Sequence, residues 1–217
     1  MRRSTSLTLA LLLFLVASTS SAEDAVQTEL AAVMSEWAHV KYELPPDDQE
    51  AGYEALAAKA SSLTRRHAER AEPKVWEAIV RASLAGSMSG LRSLYAALPQ
   101  AKQARDLLLE AEAIDPETLD GSVYISLGSL YYQVPGSPIG FGDPAQALSY
   151  LERATAISPH GIDANYFMGD YWRTQGDSAK ARYYLERALA APDRPDRPLA
   201  DAGRRSEIRA ALREVSS

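Results

Sequence analysis

The feature that most constrains this chain is a pattern that occurs twice. Tyr124, Leu127, Gly128 and Tyr131 set an aromatic residue, a Leu-Gly pair and a second aromatic at helical steps, and Ala147, Leu151, Ala154 and Pro159 follow. The pattern returns as Asn165, Met168, Gly169 and Trp172, then Ala181, Leu185, Ala188 and Pro192. Steps of three and four place each set on one face of a helix. A Gly facing an Ala lets two antiparallel helices approach closely, and the larger residues fill the space between one pair and the next. Each closing Pro stops its helix, because it lacks an N–H and clashes with the preceding turn.

The two units differ in one respect. Gly169 to Ala181 is 12 positions, whereas Gly128 to Ala147 is 19, so the first unit carries seven extra residues near 134–140. The run Pro135-Gly136-Ser137-Pro138-Ile139-Gly140 forbids helix and favours an ordered turn. Asp143-Pro144 reads as an N-cap followed by the first helical residue. A protruding loop between two well-specified helices is expected.

A third, more divergent unit precedes these. Trp76 and Ile79 hold the first two anchor positions, and Val80 stands where the others have Gly. Ala104, Leu108, Ala111 and Pro116 supply its second helix. Val80 to Ala104 is 24 positions, so residues 86–99, with Gly86, Gly90, Tyr95 and Pro99, form a second stretched segment. Equivalent turns of stacked repeats share an edge, so this segment and residues 134–141 are expected to be neighbours, with Tyr95 and Phe141 packed along one rim.

Ahead of the repeats, residues 23–44 read as a helix carrying Leu30, Val33, Met34, Trp37 and Val40. Pro45-Pro46 ends it, and Asp47 or Asp48 caps a second helix to about residue 70, with a third starting at Pro73. After Pro192 comes Asp193-Arg194-Pro195-Asp196-Arg197-Pro198, whose prolines make a stiff, non-helical connector. A final helix then covers the last exposed face of the stack. From residue 194 onward there are six Arg against four acids, a basic end on an acidic body. The organisation is thus residues 1–22, a leader; 23–72, N-terminal helices; 73–193, about three repeats, two with inserted turns; and 194–217, connector and capping helix.

The leader is read from Arg2 and Arg3, an apolar run at 7–16, and the small residues Ser20-Ser21-Ala22. That is a secretory signal, too short for a membrane span. Its removal makes the formal charge of −6 more negative still, which argues against nucleic acid as a partner. The chain has no Cys, so stability must come from the core and no lipid can be attached to an N-terminal Cys. With no second long apolar run, the mature chain has no expected membrane span. A periplasmic location is expected, with secretion as the alternative.

The order of anchors, with the closing Pro, resembles the tetratricopeptide repeat (TPR). The runs 126–136, 140–143, 161–167 and 197–201 resemble exported bacterial TPR proteins over most of the mature chain. The phrase Pro135-Gly136-Ser137-Pro138 is similar to the TPR T-component of TRAP-associated transporters. The resemblance implies an all-α superhelix of stacked helical hairpins. It implies a non-catalytic adaptor that binds a protein or peptide on its concave face, or alternatively a transport accessory that encloses a small organic ligand.

Positions beside the packing anchors on the first helix of each repeat point to the concave face. They nominate Ile125, Ser129, Tyr132 and Gln133 in one repeat, Tyr166, Asp170 and Arg173 in the next, and Glu77 and Arg81 in the divergent one. Tyr95 and Phe141 join them as partner-binding candidates on the rim. Trp76, Tyr124, Tyr131 and Trp172 occupy packing positions and are expected in the core. No cofactor, metal or catalytic residue is expected. His39, His67 and His160 lie on separate elements, without HExxH spacing. No G-x-S-x-G occurs, and there is no thiol. Asp163 and Asp170 are an acidic pair, best read as solvated or capping. Gly140-x-Gly142 lacks the lysine and preceding strand of a phosphate loop, and its glycines are read as shaping a turn.

Overall fold

The computed structural model describes the backbone of residues 6–88 and 93–216, and side chains from Glu23 onward except Ser93 and Leu94. The described residues form nine helices: α1 (Ser6–Tyr42), α2 (Pro46–Arg66), α3 (Ala71–Ser87), α4 (Ser93–Ile114), α5 (Thr118–Gln133), α6 (Pro144–Ile157), α7 (Ile162–Thr174), α8 (Ser178–Leu189) and α9 (Pro198–Glu214). Among the described residues no helix is long and apolar enough to cross a membrane. Consecutive helices pair as α1–α2, α3–α4, α5–α6 and α7–α8, and α9 packs on the last pair.

The crossings follow the repeated pattern. A Cβ placed on Gly128 would lie 2.6 Å from Leu151 Cγ, and one on Gly169 would lie 2.8 Å from Leu185 Cγ. Each glycine is therefore a point of backbone contact with a buried leucine of the partner helix. Ala104, Ala147 and Ala181 and Leu108, Leu151 and Leu185 are all buried, so the second helices share one register in the three repeats. Burying each such Leu side chain contributes about 1.5–3 kcal/mol.

Several local expectations need correction. The second helix starts with Pro46 at its first position, and Asp47 and Asp48 lie in its first turn rather than at the cap, favourable to the helix dipole. The third starts at Ala71, with Pro73 inside its first turn. The segment 86–99 is mostly helix: α3 runs to Ser87 and α4 begins at Ser93, with Gly90 outside the described residues. Pro99 sits inside α4. Its ring excludes the bond to the carbonyl of Tyr95, a residue 84% exposed, so solvent can satisfy that group. At the other end of that helix the chain turns through Leu119, Asp120 and Gly121, all at positive φ, before α5 proper.

The insert at 134–140 is exposed from Pro135 to Ile139, and it is closed on itself by hydrogen bonds. Gly142 N–H donates to Pro135 O at 3.0 Å and Asp143 N–H to Tyr131 O at 2.8 Å, which folds the loop back on the end of α5. A Cβ on Gly140 or Gly142 would overlap the backbone of Pro135 or Val134. These glycines are occupied by close chain approach, and the N–H groups of a phosphate cradle are already bonded within the loop. The cap at Asp143 forms as expected, its carboxylate accepting from Ala145 and Gln146 N–H with Pro144 next in the chain.

The odd-numbered helices do something the repeat pattern alone does not require. Along the inner side, α1 packs on α3, α3 on α5, α5 on α7, α7 on α9, and α9 returns to α1. The stack closes into a ring. At the seam Tyr42 covers Gly203, where any Cβ would overlap the phenol ring. Lys41 Nζ lies 3.1 Å from Glu207, and Ala200 of α9 joins the apolar cluster of Trp37 and Trp76.

Candidate functional site: a chamber inside a ring of five helices

The ring encloses a chamber of about 230 Å³. Every inner helix contributes to its wall: Trp37 and Tyr42 from α1, Trp76 and Ile79 from α3, Ile125, Ser129 and Gln133 from α5, Tyr166, Phe167 and Asp170 from α7, and Arg204 from α9. Arg194 and Arg197 enter from the connector. Of the nominated residues, Ile125, Ser129, Gln133, Tyr166 and Asp170 meet here.

Tyr132 and Arg173 stand behind the wall and position it. Tyr132 Oη donates to Asp170 Oδ2 at 2.6 Å, and Arg173 grips Oδ1 at 2.7 Å while reaching Glu214 at 3.1 Å. Burial, with the adjacent Asp170 charge and hydrogen bond, drives the Tyr132 phenol well above its ordinary value, so it remains a donor. A carboxylate held from two sides has no freedom to swing toward a reactant.

Glu77 and Arg81 are not on the inner face. Arg81 Nε donates to Glu77 at 2.9 Å and its Nη1 to Gln100 of α4 at 2.8 Å, so this pair binds α3 to its own hairpin partner. Trp76 and Ile79 of α3 face inward instead, at the spacing of Ser122 and Ile125 on α5 and of Asp163 and Tyr166 on α7. Trp76 is buried, as its packing position implied, and yet its ring lines the chamber. Tyr124 is buried and stacks on Tyr150 with ring centres 6.1 Å apart. Tyr131 and Trp172 are only half-buried. In the second case Tyr171 takes the core place, and Lys180 Nζ sits 3.8 Å from the centre of the Trp172 ring.

Tyr95 and Phe141 do not come together. The segments that carry them do share one edge, where Ala97 and Leu98 face Val134 and Pro135 across a cavity of about 200 Å³. Tyr95, however, points to solvent, while Phe141 folds onto Tyr131, with ring centres 5.3 Å apart, beneath the Arg105 guanidinium. Loop recoil explains this: the bonds of Gly142 and Asp143 pull Phe141 toward α5 and away from the α3–α4 turn.

The strongest electrostatic feature was not nominated from the sequence. Asp163 Oδ2 accepts from Arg194 at 2.8 Å and Oδ1 from Arg204 at 2.9 Å. Arg194 also clasps Asp201 through its side chain and, at 2.8 Å, its backbone N–H. Arg204 continues to Glu207 at 2.6 Å and lies over the Tyr166 ring at 4.2 Å. Burial alone raises the Asp163 carboxyl, but Arg204, Arg194 and Arg197 pull it further the other way, leaving it well below the usual carboxylate range. It is a fixed anion and no proton donor at neutral pH. Burial also pushes the Tyr166 phenol up to about 12. The run of six Arg after residue 193 was the available signal; only the fold shows that three of them turn inward.

The histidines stay apart. His39 meets Glu43 at 2.6 Å on the surface, His67 ends α2, and His160 lines an adjoining cavity of about 520 Å³ that shares Trp76 and Arg197 with the chamber.

No family model and no curated protein matches the chain. Among solved structures, it is similar to a thermophilic TPR protein of Thermus thermophilus, with a TM-score of 0.60 and 22% identity over 88% of this chain and 80% of that one. That likeness shows the fold: an all-α helical-repeat stack of the tetratricopeptide type.

Proposed function

We propose that this chain is a non-catalytic binding scaffold of an exported compartment, the periplasm or alternatively the exterior, and that its working surface is the chamber inside the ring. The observation that carries this reading is the packing of α9 against α1. An extended peptide needs an open groove. A closed ring with a central space of about 230 Å³ suits a compact guest, since about 150 Å³ already holds benzene in an engineered cavity. The fit is to the ligand-enclosing accessory that the TRAP-type resemblance implies, rather than to a peptide laid along the concave face. The acids lining the wall are each tied to a cation, which supports binding over acid–base chemistry.

A protein partner is a second reading, favoured by Tyr95 and Ile139, large apolar residues exposed at the edge where α3–α4 and α5–α6 turn. Native mass spectrometry after incubation with a small-molecule extract separates the two. Wild type should carry a small adduct, and Ser129→Trp, which fills the chamber, should lose it while keeping its helical content. An adduct retained by Ser129→Trp puts the guest elsewhere and defeats the chamber reading. The export reading is checked by sequencing the mature N-terminus: cleavage after Ala22 gives Glu23, whereas an exported chain starting at Met1 sinks it.

A further inference from the structure

Two tryptophans stand edge to face in the wall, with ring centres 5.9 Å apart. Trp37 Nε1 donates to Ser83 Oγ at 2.9 Å. Trp76 Nε1 is buried in a residue only 3% exposed, and no described group accepts from it. That N–H is closed off from the chamber as well as from solvent, so Trp76 offers a guest its ring and not its donor.

The second observation is independent and concerns charge. Lys41, Asp163, Asp170, Arg194, Arg204 and Glu207 line the chamber, and each has an ion-pair partner. Arg197 lines it too, and among the described residues its guanidinium has no ion pair and no side-chain hydrogen bond. It lies over the Trp76 ring, 5.2 Å from the centre. Burial holds it below the usual arginine value, the direction expected of a cation drawn out of water without full compensation. Pro195 and Pro198 flank it and fix the backbone that delivers it.

From these residues we infer that the chamber binds a small aromatic monocarboxylate, its carboxylate held by the Arg197 guanidinium, its flat body against Trp37, Tyr166 and Phe167. The inference rests on the chamber reading and adds the guest's chemical class. One uncompensated cation calls for one negative charge. A dianion would set its second charge beside the fixed carboxylates of Asp163, Asp170 and Glu207. A planar carboxylate matches the guanidinium fork. The aromatic wall suits a flat apolar body, with ring edges and faces both on offer.

Calorimetric titration of the full chain with benzoate, and with the isosteric but neutral benzamide, tests it. Benzoate should bind at least about tenfold more tightly than benzamide, and Arg197→Gln should erase that preference, because a charge-assisted hydrogen bond is at stake. Arg197→Lys keeps the charge and loses the planar fork, so it should weaken benzoate several-fold even if Arg197→Gln proves unstable. Equal binding of the acid and the amide to wild type overturns the carboxylate inference and leaves the chamber reading standing. A preference for benzoate that survives both substitutions overturns it as well. If neither probe binds although native mass spectrometry finds a chamber adduct, the guest is of another class and the inference falls alone. If that adduct is also missing, both fall.

Discussion

Where α5 crosses α6, Gly128 rests against Leu151 in a dry contact between neighbours in sequence, and α7 crosses α8 in the same way through Gly169 and Leu185. Where α9 meets α7 and α1, the contact is ionic and aromatic: Arg204 joins Asp163, Glu207 and the Tyr166 ring, and Lys41 reaches Glu207 across the seam. The outer crossings are built from steric fit, whereas the closure at α9 joins charge to a steric fit of its own, Tyr42 on Gly203. Fit between sequence neighbours makes a stack of any length. Contacts between residues far apart in the chain, as Arg204 is from Asp163 and Glu207 from Lys41, make this stack a closed one with a site inside.

The difference should show in how each region breaks. The largest effect is expected at the crossing. Gly128→Leu forces its side chain into Leu151 and should destabilise the fold by roughly 3 kcal/mol, the upper end for overpacking, in urea denaturation. An unchanged midpoint means α5 and α6 do not touch there. Arg204→Met keeps most of the volume and should cost less, about 2 kcal/mol, because Asp163 retains Arg194 and Glu207 retains Lys41. Arg204→Met and Asp163→Asn should be strongly non-additive in a double-mutant cycle, whereas Arg204→Met and Gly128→Leu should add. Additive Arg204→Met and Asp163→Asn penalties would make the inner contact steric too.

The ring should also respond to acid where the crossings do not. The folded Asp163 carboxyl lies below its unfolded value of about 3.9, so the folded state holds the ionised form more strongly. Its contribution is fully present above about pH 4 and is lost as pH falls below that toward the folded value. Asp163→Asn should flatten the fall in melting temperature below about pH 4; an equally steep fall assigns the acid sensitivity to other carboxylates. The smallest effect is at Gly136→Ala, which lacks a positive φ and meets only Gly142 O at 3.3 Å, and about 0.5 kcal/mol is expected from thermal melts. A change as large as that of Gly128→Leu would mean the loop is as tightly specified as a crossing.

This contrast explains what could be read from the chain. The anchors of the two regular repeats report local periodicity, and the helices, the Asp143 cap and the Gly–Leu contacts follow from it. On α5 and α7 the same periodicity also brought Ser129, Gln133, Tyr166 and Asp170 to the inner face. It failed on α3 because the small-residue position there is Ala82 rather than Val80, which puts Trp76, Ile79 and Ser83 rather than Glu77 and Arg81 on the inner face. It said nothing of Arg194 and Arg197, whose Pro-rich connector has no period, nor of Arg204, which α9 turns inward toward Asp163. Tyr95 was misjudged because an inserted length of chain can lengthen helices as readily as make a loop.

The seam of Tyr42 on Gly203 changes the statistics of opening. In a linear array the first and last units have one neighbour each and fray independently, so protection against hydrogen exchange fades toward both ends. Joined ends abolish that gradient. The amides of α9 and of the seam-side end of α1 inherit a shared opening event, latched by Tyr42 on Gly203, by Lys41 with Glu207 and by Ala200. A side chain at Gly203 would have to push the Tyr42 ring aside, and it would loosen both ends of the hoop together.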